Sequence, residues 1–358
     1  MQVSFESIRE KVLEGRRLTF EEGVFLFRPD VDLHAIGELA TVVRRRKNDD
    51  IAYYSINAHL NPTNVCGHRC PICAFSRDVD APDAYEMSEE QIVEHVRQAV
   101  EGGCTEIHIV GGIHPEKDYA WYRGIISRVR AAAPDAFIKA WTALEIAHFA
   151  KISRMSVRET IVDLMKAGLN GMPGGGAEIF APEIRRQIAP TKLDAKTWLS
   201  IHAEAHALGL KTTATMLYGH LERPEHRIDH LVQLRAQQDR TGGFLAFVPL
   251  VFHPEGTRFA DLEQASGLDD LRVIAVSRLI LDNFDHIKAY WVSLGLGTAQ
   301  AALAYGADDL DGTIRKERIH HAAGAKSPEA LGVDDLCDLI EEAGFRPVQR
   351  DSLYRKVV

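Results

Sequence analysis

From about residue 53 onward, short β-rich runs alternate with longer amphipathic segments, and this alternation limits the available folds more than any other feature of the chain. The β-rich runs begin near Tyr53, Glu106, Phe137, Leu169, Lys211, Phe244, Ile287 and Asp308. The segments between them carry helix signals. Ser88 and Gln91 form a capping pair before Ile92, Val93, Val96 and Val100, and Gly102-Gly103 ends that stretch. Ser156 and Glu159 open a second helix that stops at Gly168. Asp194 opens a third, with Trp198, Ile201, Ala205 and Leu208 on one face and Gly209 after it. A helix between successive strands returns the chain to the same end of the sheet, so the strands pair in parallel. Eight such units predict an α/β fold of the closed (β/α)8 TIM-barrel type, with an open doubly wound sheet as its competitor. Such a barrel collects its functional side chains at the C-terminal ends of its strands.

The flanking segments lack this alternation. Residues 1–50 read as helices: Thr19 and Glu22 cap a stretch with Val24, Leu26 and Phe27, and Leu33, Ile36, Leu39, Val42 and Val43 recur at helical spacing. Past residue 315, one helix places Val333, Leu336, Cys337 and Ile340 on a single face. The expected organisation is an N-terminal helical extension over 1–50, a barrel over 51–315 and a small C-terminal appendage over 316–358 packed on it.

Charge narrows the choice of partner. The net charge of −9 gives no general attraction to phosphate backbones, so nucleic acid is not an expected partner. The one basic run, Arg44-Arg45-Arg46-Lys47, closes a predicted helix, where cations suit the negative end of the dipole. No secretory leader pattern opens the chain and no run has the length of a membrane span, so a cytoplasmic protein with no membrane partner is expected.

Three of the five cysteines fall within eight residues, in Asn61-Pro62-Thr63-Asn64-Val65-Cys66-Gly67-His68-Arg69-Cys70-Pro71-Ile72-Cys73-Ala74-Phe75. Clustered thiols in a reducing compartment point to metal and not to disulfides. Cys66, Cys70 and Cys73 can wrap one 4Fe–4S cluster and leave one iron without a protein ligand. A zinc site would normally use two separated ligand pairs, and an electron-carrying ferredoxin a fourth cysteine. Cys104, before a strand, and Cys337, on an apolar helix face, read as inert buried thiols.

This CxxxCxxC spacing after a first barrel strand resembles the radical S-adenosylmethionine superfamily. The resemblance implies that the open iron binds the methionine moiety of S-adenosylmethionine and that the sulfonium is cleaved to a 5′-deoxyadenosyl radical. Many members have an aromatic residue just before the third cysteine; Ile72 stands there, and Phe75 is the substitute for packing near the adenine. The other strand ends supply matching groups. Gly111 and Gly112 follow the second strand, and the resemblance implies that they meet the methionine amino group. Glu145 follows the third strand, and Gly175 and Glu178 the fourth, as candidates for S-adenosylmethionine hydroxyls or ammonium. His59 and Asn61 end the first strand, His220 the fifth, His253 the sixth, and Tyr290 lies on the seventh. His108 and His230 read as structural or exposed.

The segments NPTNVCGHRCPICAFSRD, EIHIVGGIHPE, GMPGGGAEIF, TATMLYGHLE and RTGGFLAFVPLVFHPEGT are similar, more narrowly, to the aminofutalosine synthase family of menaquinone biosynthesis. The sister cyclase of that pathway and the deazaflavin-cofactor synthases share several of them. The resemblance implies radical addition to the vinyl carbon of 3-[(1-carboxyvinyl)oxy]benzoate, rearrangement and decarboxylation to 6-amino-6-deoxyfutalosine, and an electron donor such as flavodoxin or ferredoxin. His59, His253 and Glu178 are the catalytic candidates. His59, Asn61, Arg77, His220, His253 and Tyr290 are the candidates for meeting the substrate and its two carboxylates.

Overall fold

The computed structural model describes residues 3–357. Ten strands account for its sheets: β1 (Ile51–Ser55), β2 (Asn57–Leu60), β3 (Glu106–Ile109), β4 (Phe137–Ala140), β5 (Gly171–Met172), β6 (Lys211–Tyr218), β7 (Phe244–Val251), β8 (His286–Ile287), β9 (Asp309–Gly312) and β10 (Arg346–Gln349). Strands β2 to β8 lie side by side in chain order, every pairing parallel. Helices Glu89–Glu101, Tyr119–Ala132, Ala195–Ala207, Pro224–Thr241 and Gly267–Ile280 are among the connections. The capping signals act as read: Ser88 with Gln91 and Ser156 with Glu159 each form a reciprocal box.

The sheet curls, and the segment around β9 joins its two edges. On one side the Asp308 N–H donates to Ile287 O at 3.0 Å and Ala289 N–H to Asp309 O at 2.8 Å. On the other, His59 N–H donates to Arg315 O at 2.9 Å and Thr313 Oγ1 to Asn57 O at 2.8 Å. The weak eighth run, near Asp308, is therefore the element that closes the ring.

The first run differs from expectation. The stretch read as one strand from Tyr53 divides at Ile56. β1 leaves the barrel and pairs with β9 and β10 in a three-stranded parallel sheet; β2 alone lines the barrel. Both pieces are buried along their whole length, because each is covered on two faces. The helical period around residue 336 buries Leu336 and Ile340, and β10 then docks on β1.

The N-terminal helices cover one barrel helix. Gly267–Ile280 buries residues 273–280 almost completely, packed against Leu33–Asn48. The basic run lies at the end of the latter helix and every member has a partner. Arg44 is buried and donates to the carbonyls of Ala307, Asp49 and Ile51; Arg45 and Lys47 pair with Asp50 and Asp285; Arg46 donates to Val12 and Leu13 O. No helix among the described residues is long and apolar enough to cross a membrane.

Candidate active site

A cavity of about 320 Å³ lies within the barrel and is lined by every strand of the ring or by the residues just after it. Its wall contains Cys66, Cys70 and Cys73 from the loop after β2, Gly111 and Gly112 after β3, Glu145 after β4, and Gly175 and Glu178 after β5. Phe75, His59, His253 and Tyr290 also line it.

The cysteine loop is held by its own backbone and by neighbours. Cys66 N–H donates to Arg77 O at 3.0 Å, Gly67 N–H to Ile113 O at 2.9 Å, and Cys73 N–H to Cys70 O at 2.9 Å. Asn64 braces the outside: Nδ2 donates to Asp83 O at 2.9 Å and Oδ1 accepts Tyr85 N–H at 2.8 Å. All three thiols are free; Cys70 is buried and the other two are half-buried. Among the described residues no three His, Cys, Asp or Glu side chains converge tightly enough for a single ion. The three thiols line one cavity, and three thiolates on one loop suit a multi-iron cluster. Cys104 is not among them: its thiol donates to Glu106 O at 2.9 Å, and burial pushes it up to about 12.

Glycine brings the β3 end against this loop. A Cβ on Gly112 would lie 2.1 Å from Val65 O, and one on Gly111 would lie 3.1 Å from Thr63 O. The pair thus admits the cysteine loop itself, a requirement separate from any ligand. Gly174 does the same against β6, where a Cβ would lie 2.6 Å from Thr213 O.

The two acids differ in state. Glu145 is buried, its Oε2 accepts Thr142 N–H at 2.6 Å, and Oε1 has no partner. Burial raises its carboxyl to about 7, against the smaller effect of backbone N–H groups at Thr142 and Gly111. Glu178, in left-handed backbone at φ +47°, is paired with Lys192. Burial opposes its charge, but the Lys192 ammonium outweighs burial and holds the carboxyl below its usual range.

Three sequence candidates lie off the cavity wall. Arg77 turns outward, donating to Asp83 Oδ2 at 2.7 Å and to Ala74 O at 2.8 Å, so it braces the cysteine loop. The ring of His220 is enclosed, with Nε2 donating to Leu217 O at 3.1 Å and Nδ1 accepting Leu221 N–H at 2.7 Å. Asn61 Nδ2 ties the end of β2 to Val110 O at 2.9 Å. For Arg77 and His220 nearer backbone groups or a carboxylate claim the side chain, while Asn61 keeps a buried Oδ1 without a partner. His253 does reach the wall, but both ring nitrogens are engaged, by Ser293 O at 2.8 Å and Gln264 Nε2 at 3.3 Å. His230 is structural, stacked on Phe180 at 3.8 Å between ring centroids.

Other lining residues escaped the sequence reading. Lys139 and Lys288 project into the barrel and pair with Glu106 at 2.5 Å and with Asp311. His108, read as structural or exposed, is half-buried on the wall, its ring 4.5 Å from that of His59. Glu317 and His320 enter from the segment after β9. The available signal was period two: an inward-facing residue recurs at every second strand position, and polar residues there have no solvent to meet.

Comparison with known proteins agrees with this architecture. The Radical SAM superfamily model matches residues 60–234, and the model of the CofH/MqnC C-terminal region matches residues 241–357. The chain is 46% identical to aminodeoxyfutalosine synthase of Thermus thermophilus over 98% of its own length and 95% of that relative's. It is 44% identical to aminodeoxyfutalosine synthase of Streptomyces coelicolor over 97% and 92% of the two chains. Among solved structures, methylornithine synthase superposes with a TM-score of 0.77 at 17% identity, covering 95% of this chain and 97% of that one; it shares the fold.

Proposed function

Because this chain belongs to the aminodeoxyfutalosine synthase family of radical S-adenosylmethionine enzymes, we propose that it joins the 5′-deoxyadenosyl group to the vinyl carbon of 3-[(1-carboxyvinyl)oxy]benzoate. Rearrangement and loss of the enol-ether carboxylate then give 6-amino-6-deoxyfutalosine for menaquinone synthesis. The observation that carries this reading is the 46% identity spread over 98% of the chain, barrel and C-terminal region alike.

The enzymes of this family use a 4Fe–4S cluster and S-adenosylmethionine. Cys66, Cys70 and Cys73 fit the cluster, since their thiols are free, share one wall and have no fourth cysteine beside them. When bound, the cluster supplies the electron that cleaves S-adenosylmethionine to methionine and the 5′-deoxyadenosyl radical, and an electron donor of the flavodoxin or ferredoxin type replenishes it. Glu145 offers Oε1 as a hydrogen-bond acceptor beside Gly111, suited to an ammonium or a hydroxyl. Glu178, kept ionised by Lys192, offers a fixed negative charge on the opposite side of the glycine turn after β5. Phe75 and Phe252 give the wall apolar surface, which limits water around a primary carbon radical. The narrow barrel bore holds the two reactants in contact, as a bimolecular addition needs.

The test is anaerobic incubation of the reconstituted protein with S-adenosylmethionine, a low-potential reductant and the enol-ether benzoate, followed by mass spectrometry. The proposal expects adenosine incorporated into a decarboxylated adduct. Free 5′-deoxyadenosine as the sole nucleoside product would refute addition.

A further inference from the structure

The inner end of the cavity carries hydrogen-bonding groups that nothing in the protein satisfies. His59, His108 and Lys139 are register partners on β2, β3 and β4, so they form one row across three adjacent strands. All three line the cavity. Neither ring nitrogen of His108 has a partner, and neither does Nε2 of His59. His59 is buried and His108 half-buried against the cavity, and desolvation lowers both imidazoles below their ordinary range, so both rings are neutral. A neutral imidazole presents one N–H donor. Leaving polar groups unpaired away from water is costly, and in a row of this kind the unpaired groups mark where a ligand's polar end belongs.

The surrounding charges define that ligand. Lys139 is paired with Glu106 and Lys288 with Asp311, so the wall next to the imidazoles is already balanced. Glu317, which lines the same cavity and acts on His59, is held by His321 and by the Ile319 and His320 N–H groups, so the row offers N–H donors beside ammonium groups and every facing carboxylate already has a partner. This combination accepts an anion whose oxygens need hydrogen bonds and rejects a second cation.

Depth selects which end of the ligand arrives. His108 lies inside β3 and precedes Gly111, two residues past the end of that strand, by three residues, so it sits further in, at most roughly 10 Å from Gly111. The reacting vinyl group has to stay at the cysteine end. The carboxylate on the aromatic ring is the opposite end of the substrate, one ring's length away.

We infer that His108, with His59 beside it, receives the ring carboxylate of a meta-substituted benzoate at the inner end of the barrel. This rests on the substrate class proposed above and assigns its specificity to a residue of β3. His108 acts as a donor to bound substrate and takes no part in cluster binding.

The experiment compares two ligands, 3-[(1-carboxyvinyl)oxy]benzoate and the same enol ether lacking the ring carboxylate. Their Kd values are measured by equilibrium dialysis against the anaerobic, cluster-loaded wild type, His108→Phe and His108→Asn. Iron content and melting temperature show that each variant is folded; the asparagine variant, which keeps a donor, covers a failure of the phenylalanine one. Wild type is expected to bind the dicarboxylate about 10- to 100-fold more tightly than the truncated ether, the range of a hydrogen bond to a charged group. His108→Phe is expected to lose at least tenfold of that preference while binding the truncated ether as wild type does, and His108→Asn to recover part of it. An undiminished preference in both variants overturns the inference, and so does an equal loss of affinity for both ligands, which would mean a packing role. Adduct formation by wild type separates the two readings. If the adduct forms but the preference ignores His108, only this inference fails. If wild type binds neither ligand, both fail.

Discussion

Gly112→Ala tests whether the β3 end is a glycine for the sake of the cysteine loop. The added Cβ would sit 2.1 Å from Val65 O and 2.6 Å from Val65 C, both well inside the 3.4 Å at which ordinary contact begins. Both obstructing atoms are backbone, so no side-chain rotation relieves the overlap. Val65 directly precedes Cys66, and the Gly112 N–H donates to Thr63 O at 2.8 Å, so the loop and the β3 end cannot separate without breaking that bond. Overpacking of a well-filled site costs about 1–3 kcal/mol, and a backbone obstruction belongs at the upper end of that range. The displacement falls on the first of the three thiols. We expect Gly112→Ala to unfold at about 2–3 kcal/mol less than wild type in urea and to bind well under half the wild-type iron after anaerobic reconstitution. Gly111→Ala, with its nearest contact at 3.1 Å, should be milder on both measures. Wild-type iron content and stability in Gly112→Ala would refute the reasoning. A larger effect at Gly111 than at Gly112 would do the same, because it would make ligand approach the dominant constraint.

Three further outcomes follow from the site. Alanine at Cys66, Cys70 or Cys73 should abolish the bound 4Fe–4S cluster by iron and sulfide assay, while Cys104→Ala, which removes a thiol bonded to Glu106 O, should retain it. Lys288→Met leaves Asp311 buried with only Arg350 Nη2 at 3.7 Å and the more distant Lys139 ammonium to answer it, so a loss of about 3 kcal/mol in urea unfolding is expected; a loss below about 1 kcal/mol would show that these two cations suffice. Glu145 is raised by burial from 4.5 to about 7, so its contribution to stability is full below about pH 4.5 and is lost as pH rises through 7. Glu145→Gln should therefore gain on the ligand-free wild type by about 2–3 kcal/mol between pH 5 and pH 7.5, and parallel stability curves for the two proteins would contradict the assignment.

The fold was legible where local chemistry and tertiary demand coincide. Ser88 with Gln91 and Ser156 with Glu159 are helix starts in any context, and the runs at Glu106, Phe137, Lys211 and Phe244 are strands at the positions read from them. The division at Ile56 was not legible. Residues 51–60 form one apolar extended run, and only β9 and β10, contributed from more than two hundred residues away, draw its first half out of the barrel. Arg77 and His220 were misplaced for a similar reason. Their chemistry suits an anionic ligand, but Asp83, the Ala74 carbonyl and the Leu217 carbonyl lie within reach and claim them.

The inner wall shows why strand ends alone are an incomplete guide to such a site. A barrel this narrow accepts buried charge only when each charge is answered, and it does so by pairing Lys139 with Glu106 and Lys288 with Asp311, as Arg350 and Asp309 pair beside the adjoining three-stranded sheet. Each pair by itself reads as structure. His59 and His108 break the pattern: they occupy the same layer as Lys139, yet three of their four ring nitrogens are unanswered. A fold that satisfies two buried ion pairs in one bore has no need to leave imidazoles idle beside them, unless something else completes the set. The mouth of the barrel, with its three thiols and glycines, then sets the chemistry, and the inner row sets which molecule is long enough, and acidic enough at its far end, to undergo it.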